Sequence, residues 1–119
     1  MGLFDVFKKK EIVMPNFEEL DSQEKLIEYA KKGVLFPMYV MPLRFNGANS
    51  IENILFVPKF AAELKNKADD MVENLLRQEK VSSYSCMPEY KGDSFVPSKI
   101  VVEATMKDEP VFKETIEIW

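Results

Sequence analysis

The stretch VLFPMYVMPLRF, residues 34 to 45, sets how the rest of the chain is read. It holds a single charge, Arg44, and two prolines, Pro37 and Pro42. It is too short to cross a bilayer as a helix, which takes about 20 apolar residues, and the prolines oppose any helix here. Its Val, Leu, Phe, Met and Tyr content favours a strand. Backbone N–H groups point alternately to the two sides of a strand, so Pro37 and Pro42 would remove donors toward opposite neighbours. One straight central strand is therefore disfavoured. The sequence predicts a bend or bulge near Met41 and Pro42, or a strand that starts only after Pro37.

Working outward, NGANS (46–50) has turn composition and IENILFVP (51–58) is a second short strand, so a hairpin is the economical reading. Upstream, two capping boxes are available, Asn16 with Glu19 and Asp21 with Glu24. The second opens a helix of about three turns with Leu26, Ile27 and Ala30 inward and Gly33 as its left-handed stop. Downstream, Pro58 suits a first helical position. KFAAELKNKADDMVENLLRQEK (59–80) then places Phe60, Ala61, Leu64, Ala68, Met71, Val72, Leu75 and Leu76 on one stripe.

The remainder alternates as strands do: VSSYSCMPEY (81–90), SKIVVEATM (98–106) and VFKETIEIW (111–119). Ile100, Val102, Ala104 and Met106 share one face, as do Phe112, Ile116 and Ile118, and one register that keeps both sets together puts Glu103 opposite Lys113. The order α-β-β-α-β-β-β predicts an α+β fold, a mostly antiparallel sheet of about five strands with helices packed on one face. A length of 119 residues, 46% hydrophobic and 30% charged, fits one domain over 1–119, with 1–15 an N-terminal segment that is in part flexible.

In residues 34 to 45 both the odd and the even positions are apolar, so the strand needs two covers. The long helix supplies one. The second is either the chain itself, through the first helix or Leu3, Phe4, Val6 and Phe7, or a second protein or copy.

The chemistry is bounded mainly by what the composition lacks. The chain has no histidine and one cysteine, Cys86, which removes the commonest base, the His-based triads and nearly all zinc or copper ligand sets. No phosphate loop or calcium loop is present, so no cofactor and no metal are expected. SQEK (22–25) has the S-x-x-K spacing, but a serine at a helix start is a cap first. Ser98 and Lys99 would point to opposite strand faces. Asp69, Asp70 and Glu73 are read as a solvated helix face, supported by Glu63 with Lys67 and Glu73 with Arg77.

A net charge of -4 gives no footprint for nucleic acid and would favour a basic protein partner. The N-terminus MGLFDVFKKK does not have the order of a secretory signal, and Val6 stands where myristoylation expects Ser or Thr. A cytoplasmic location is expected. Residues 1–10 form one short amphipathic turn, too weak to anchor on a membrane without a second signal.

The favoured reading is a small non-catalytic binding or interaction protein, an adaptor, regulator or neutralising partner, working through a sheet face or edge. Strand addition would use Met38, Tyr39 and Met41, and the loop EYKGDSFVP (89–97) would add Tyr90 and Phe95. Self-association through the same strand is equally compatible. The alternatives are a small-ligand binder or enzyme with a pocket between sheet and helix, and a peripheral membrane protein through residues 1–10.

Overall fold

The computed structural model describes residues 14–119. The sequence readings for residues 1–10, membrane contact and the covering role of Leu3, Phe4, Val6 and Phe7, lie outside them.

Helix α1 (Gln23–Lys31) starts one residue later than the Asp21 box predicts. Ser22 sits in extended backbone and its hydroxyl accepts from the Lys25 N–H at 3.3 Å, while Asp21 pairs instead with Lys25 Nζ at 2.8 Å. The Asn16 signal is used on a single 3-10 turn, Phe17–Glu19. Gly33 stops the helix at φ 76°, and the Val34 N–H returns to the Tyr29 carbonyl. Leu26 is buried and Ala30 half-buried, but Ile27 faces outward.

The hairpin forms as read. Strand β1 (Leu35–Tyr39) pairs antiparallel with β2 (Ile54–Pro58), with Met38 opposite Leu55. Just beyond, the Val40 N–H donates to the Asn53 carbonyl at 2.9 Å. By alternation Met38 and Phe36 point their N–H groups at β2, and Pro37, with none to offer, falls on the outer edge. The chain bends at Val40 and Met41, and Pro42 leads into a 3-10 turn, Leu43–Phe45. Leaving the strand before Pro42 resolves the parity conflict. Asn53 staples this loop: its side chain accepts from the Met41 N–H and donates to the Met41 and Ala48 carbonyls, all at 2.8 Å. At Gly47 an added Cβ would lie 1.9 Å from the Met41 carbonyl oxygen, so no other residue fits.

Helix α2 (Lys59–Arg77) is where the structure corrects the sequence reading most. Its buried residues are Ala61, Lys65, Ala68, Asp69 and Val72. Phe60, Leu64, Met71 and Leu76, expected inward, are exposed, Met71 by 55%. The apolar set covers a wide arc, and only part of it can face a core. The packed arc contains two alanines, which allow close approach, and a lysine and an aspartate that neutralise each other.

Strands β3 (Ser83–Glu89), β4 (Lys99–Met106) and β5 (Glu109–Glu117) form an antiparallel sheet in the order β3-β4-β5. Glu103 lies opposite Lys113, the register expected from the alternation, and the ladder shifts between Ala104 and Thr105. Lys107 and Asp108 turn the second hairpin with positive φ at both, as a two-residue hairpin loop requires. The fold is α+β with the expected element order, but the five strands divide into this sheet and the β1–β2 ribbon. Helix α2 packs against both. Val57, Val72, Ile100, Val102 and Ile116 form the buried centre. Trp119 is half-buried, donating from its indole N–H to the Val96 carbonyl at 3.0 Å and packing near Phe17. No helix of the described residues is long and apolar enough to cross a membrane.

Each edge strand carries a proline: Pro37 in β1, Pro58 in β2, Pro88 in β3 and Pro110 in β5. Pro37, in mid-strand with its missing donor on the outer edge, makes β1 a poor template for an added strand, whereas Pro58 and Pro110 stand at or next to strand ends.

Candidate functional site

The five residues singled out from the sequence do not converge on one surface. Met38 is buried and, with the half-buried Tyr39, lines a recess of about 380 Å³ between β1, the Pro42–Arg44 turn and α2. The Tyr39 hydroxyl donates to Asn49 at 2.8 Å, which ties it to the hairpin loop. Met41 belongs to a second recess of about 270 Å³, on the other side of Arg44, with Phe45, Val72 and Tyr84. Tyr90 and Phe95 meet in a third, of about 370 Å³, against Leu26 of α1 and Ile54, Leu55 and Phe56 at β2.

The third recess has Leu26, Ile54, Leu55 and Phe56 along its wall together with Gln23 and Ser94, and its two rim aromatics remain 48% and 45% exposed. Its position follows from the loop after β3. Phe95 N–H donates to the Leu20 carbonyl at 2.7 Å, and the Ser94 hydroxyl accepts from the Val96 N–H at 3.1 Å. Val96 and Pro97 are buried, so the loop is anchored while its aromatics stay outside. The Tyr90 phenol is held above its ordinary range, chiefly by burial.

The first recess has a charged floor that the sequence reading missed. Lys65 is 1% exposed and its ammonium lies 2.6 Å from Asp69 Oδ2. The Tyr84 phenol donates to Asp69 Oδ1, also at 2.6 Å. Burial, then the bond to Asp69, pushes the Tyr84 phenol far above its usual range, and burial raises the nearby Cys86 thiol against the pull of Lys65. Both groups therefore keep their protons near neutral pH.

Above this floor the Arg44 guanidinium, the lone charge of the opening stretch, bonds Asp70 at 2.7 Å and Glu73 at 3.0 Å. The neighbouring carboxylates raise its already high pKa, led by the bond to Asp70. Asp70 and Glu73 face outward as expected, and Glu73 also meets Arg77; Asp69 does not share their face. The expected Glu63 with Lys67 pair is replaced by Lys59 with Glu63 at 3.9 Å. The one available signal for the floor was that Lys65 and Asp69 are four residues apart within the helical stripe, a spacing that permits a pair but does not say it is inward.

Among the described residues no group of three His, Cys, Asp or Glu side chains is placed to hold a metal ion. No protein-family model matches the chain, and no curated protein and no solved structure matches it.

Proposed function

We propose that the chain is a non-catalytic binding protein that captures a protein partner in the recess between α1, β2 and the loop bearing Tyr90 and Phe95. The observation that carries this is the pair of half-exposed aromatics on an anchored loop, set over an apolar wall of Leu26, Ile54, Leu55 and Phe56. Aromatics held this way make strong interface anchors because little side-chain freedom is lost on binding. Docking into a face is favoured over strand addition at β1, the edge picked from the sequence, by Pro37 in mid-strand. The net charge of -4 would steer a partner with a basic rim.

A non-catalytic role is supported by the direction of the shifts: Tyr84 and Cys86 are moved away from the range in which they would act as base or nucleophile at neutral pH. Photo-crosslinking tests the reading. A benzophenone amino acid in place of Phe95 should form one dominant adduct in cells, lost in the Tyr90→Ala background. The same probe at Met87, the most exposed large apolar side chain among the described residues, serves as the control. No adduct at 95, or the same adducts from both positions, would refute the proposal. The adduct mass separates a foreign partner from a second copy of this chain.

A further inference from the structure

We propose that the outer edge of β5 is an interface with a second copy of this chain, the two β5 strands pairing antiparallel about a two-fold axis through Thr115. Among the described residues β5 ends its sheet on one side and no strand pairs beyond it. The Ile118 N–H bonds the Ser98 carbonyl at 2.7 Å, in step with Glu117 opposite Lys99. By alternation Glu114 and Ile116 also turn their backbone groups toward β4, and the N–H and C=O of Lys113, Thr115 and Glu117 point outward. The turn at Lys107 and Asp108, closing on Met106 opposite Glu109, gives β4 the same parity from its other end. Pro110 and the ladder shift beside it lie outside this stretch, so its row of outward donors is unbroken. The side chains of Lys113, Thr115 and Glu117 are exposed.

The charges select the occupant and the register. With the axis at Thr115, Lys113 faces Glu117 of the second copy, and by symmetry the pair occurs twice. Each new pair prolongs a row already present. Within one copy Glu103 lies opposite Lys113 and Lys99 opposite Glu117, and Lys99 is 3.7 Å from Glu89 of β3. Across the joined sheets the row reads Glu103, Lys113, then Glu117, Lys99 and Glu89 of the second copy, the sign alternating at every step. Opposite charges directly across a strand pair attract and like charges repel. An axis at Lys113, Glu114 or Glu117 sets like charges face to face, and one at Ile116 forms no ion pair. An axis nearer the turn meets Pro110 and the ladder shift. An axis between two residues would set the buried side of one sheet against the wet side of the other. Each copy carries a net charge of -4, so two copies repel at a distance and docking depends on this local order. The stretch offers about six backbone hydrogen bonds across the axis, a small interface and hence a weak dimer. This surface is independent of the Tyr90 and Phe95 recess.

Sedimentation equilibrium of the full chain between about 10 µM and 1 mM, the range of small transient interfaces, tests it. The wild-type chain should pass from monomer toward dimer as concentration rises. Lys113→Glu puts like charges in both new pairs, and so does Glu117→Lys, so each variant alone should lose about tenfold or more in self-association. An equal mixture of the two variants restores opposite charges in both pairs and should associate about as tightly as the wild type. Both positions are exposed, and circular dichroism confirms that each variant is folded. A wild-type chain that stays monomeric across this range overturns the proposal and leaves the edge to a foreign strand. A dimer that Lys113→Glu leaves intact overturns it as well, as does a mixture that associates no better than its components.

Discussion

Replacing Lys65 by Met removes one half of a buried ion pair and leaves the other behind. Asp69 is 4% exposed and would keep only the Tyr84 hydroxyl as a partner. Breaking a buried pair from one side costs about 3–5 kcal/mol, because the remaining charge has neither water nor counter-ion. Whole-domain stability is typically about 5–15 kcal/mol, so Lys65→Met should remove a large share of it. With a urea slope of about 2 kcal/mol per M, the unfolding midpoint should fall by roughly 2 M. The partner experiment is the double variant with Asp69→Leu, which replaces both charges by apolar groups of similar size. It should recover part of the loss, since exchanging a whole buried pair for well-packed apolar groups is often neutral or stabilising, while the Tyr84 hydroxyl gives up its acceptor. The assay is urea unfolding followed by circular dichroism, with the slope checked for each variant. A midpoint change under about 0.25 M for Lys65→Met would refute the reasoning, since surface substitutions stay near ±0.5 kcal/mol. A double variant no better than the single would refute it equally, because the loss would then come from packing rather than from an orphaned carboxylate.

Other consequences follow from named contacts. Tyr84 and Cys86 keep their protons to higher pH in the folded chain than in the unfolded one; above their ordinary values the unfolded chain binds fewer protons, so stability is full at neutral pH and falls as pH rises beyond about 9. Both side chains are partly exposed, so each should contribute a slope well under ~1.4 kcal/mol per pH unit, and Tyr84→Phe should flatten the decline in unfolding titrations between pH 8 and 11. Gly47→Ala should destabilise by about 2–4 kcal/mol, since the new methyl meets backbone that Asn53 holds in place, and calorimetry should show the lowered midpoint. Phe60→Ser and Met71→Ser should each cost under about 1 kcal/mol, whereas Val72→Ala, though it removes less surface, should cost about 2 kcal/mol. Chemical denaturation of the three variants ranks them directly.

Features governed by neighbours in sequence were legible, and those governed by distant partners were not. The β1–β2 hairpin could be read because NGANS and the two apolar runs are local signals, and the bend before Pro42 followed from counting donors. The Glu103 and Lys113 register was readable because side-chain alternation has period 2 and fixes which residues share a face. The rotation of α2 was hidden, because apolar periodicity treats Lys65 and Asp69 as outward by type. What turns them inward is Tyr84, which arrives from β3 and occupies the second oxygen of Asp69. Arg44 was equally opaque, since Asp70 and Glu73 lie 26 and 29 positions away along the chain. Tyr90 and Phe95 could be placed on a polar loop from the sequence, but their recess is completed by Leu26 and β2, which no local pattern connects to them.

The orientation of α2 underlies the floor of the first recess and the energetics built on it, and lysine acylation read by mass spectrometry measures it most directly. In the native chain Lys65, 1% exposed, should stay unmodified while Lys59 and Lys67, on the same helix but exposed, react quickly, and denaturation should abolish the difference. Reaction of Lys65 at the rate of Lys67 in the folded protein would mean that the helix instead buries its Phe60 and Leu64 side, and the charged floor would not exist.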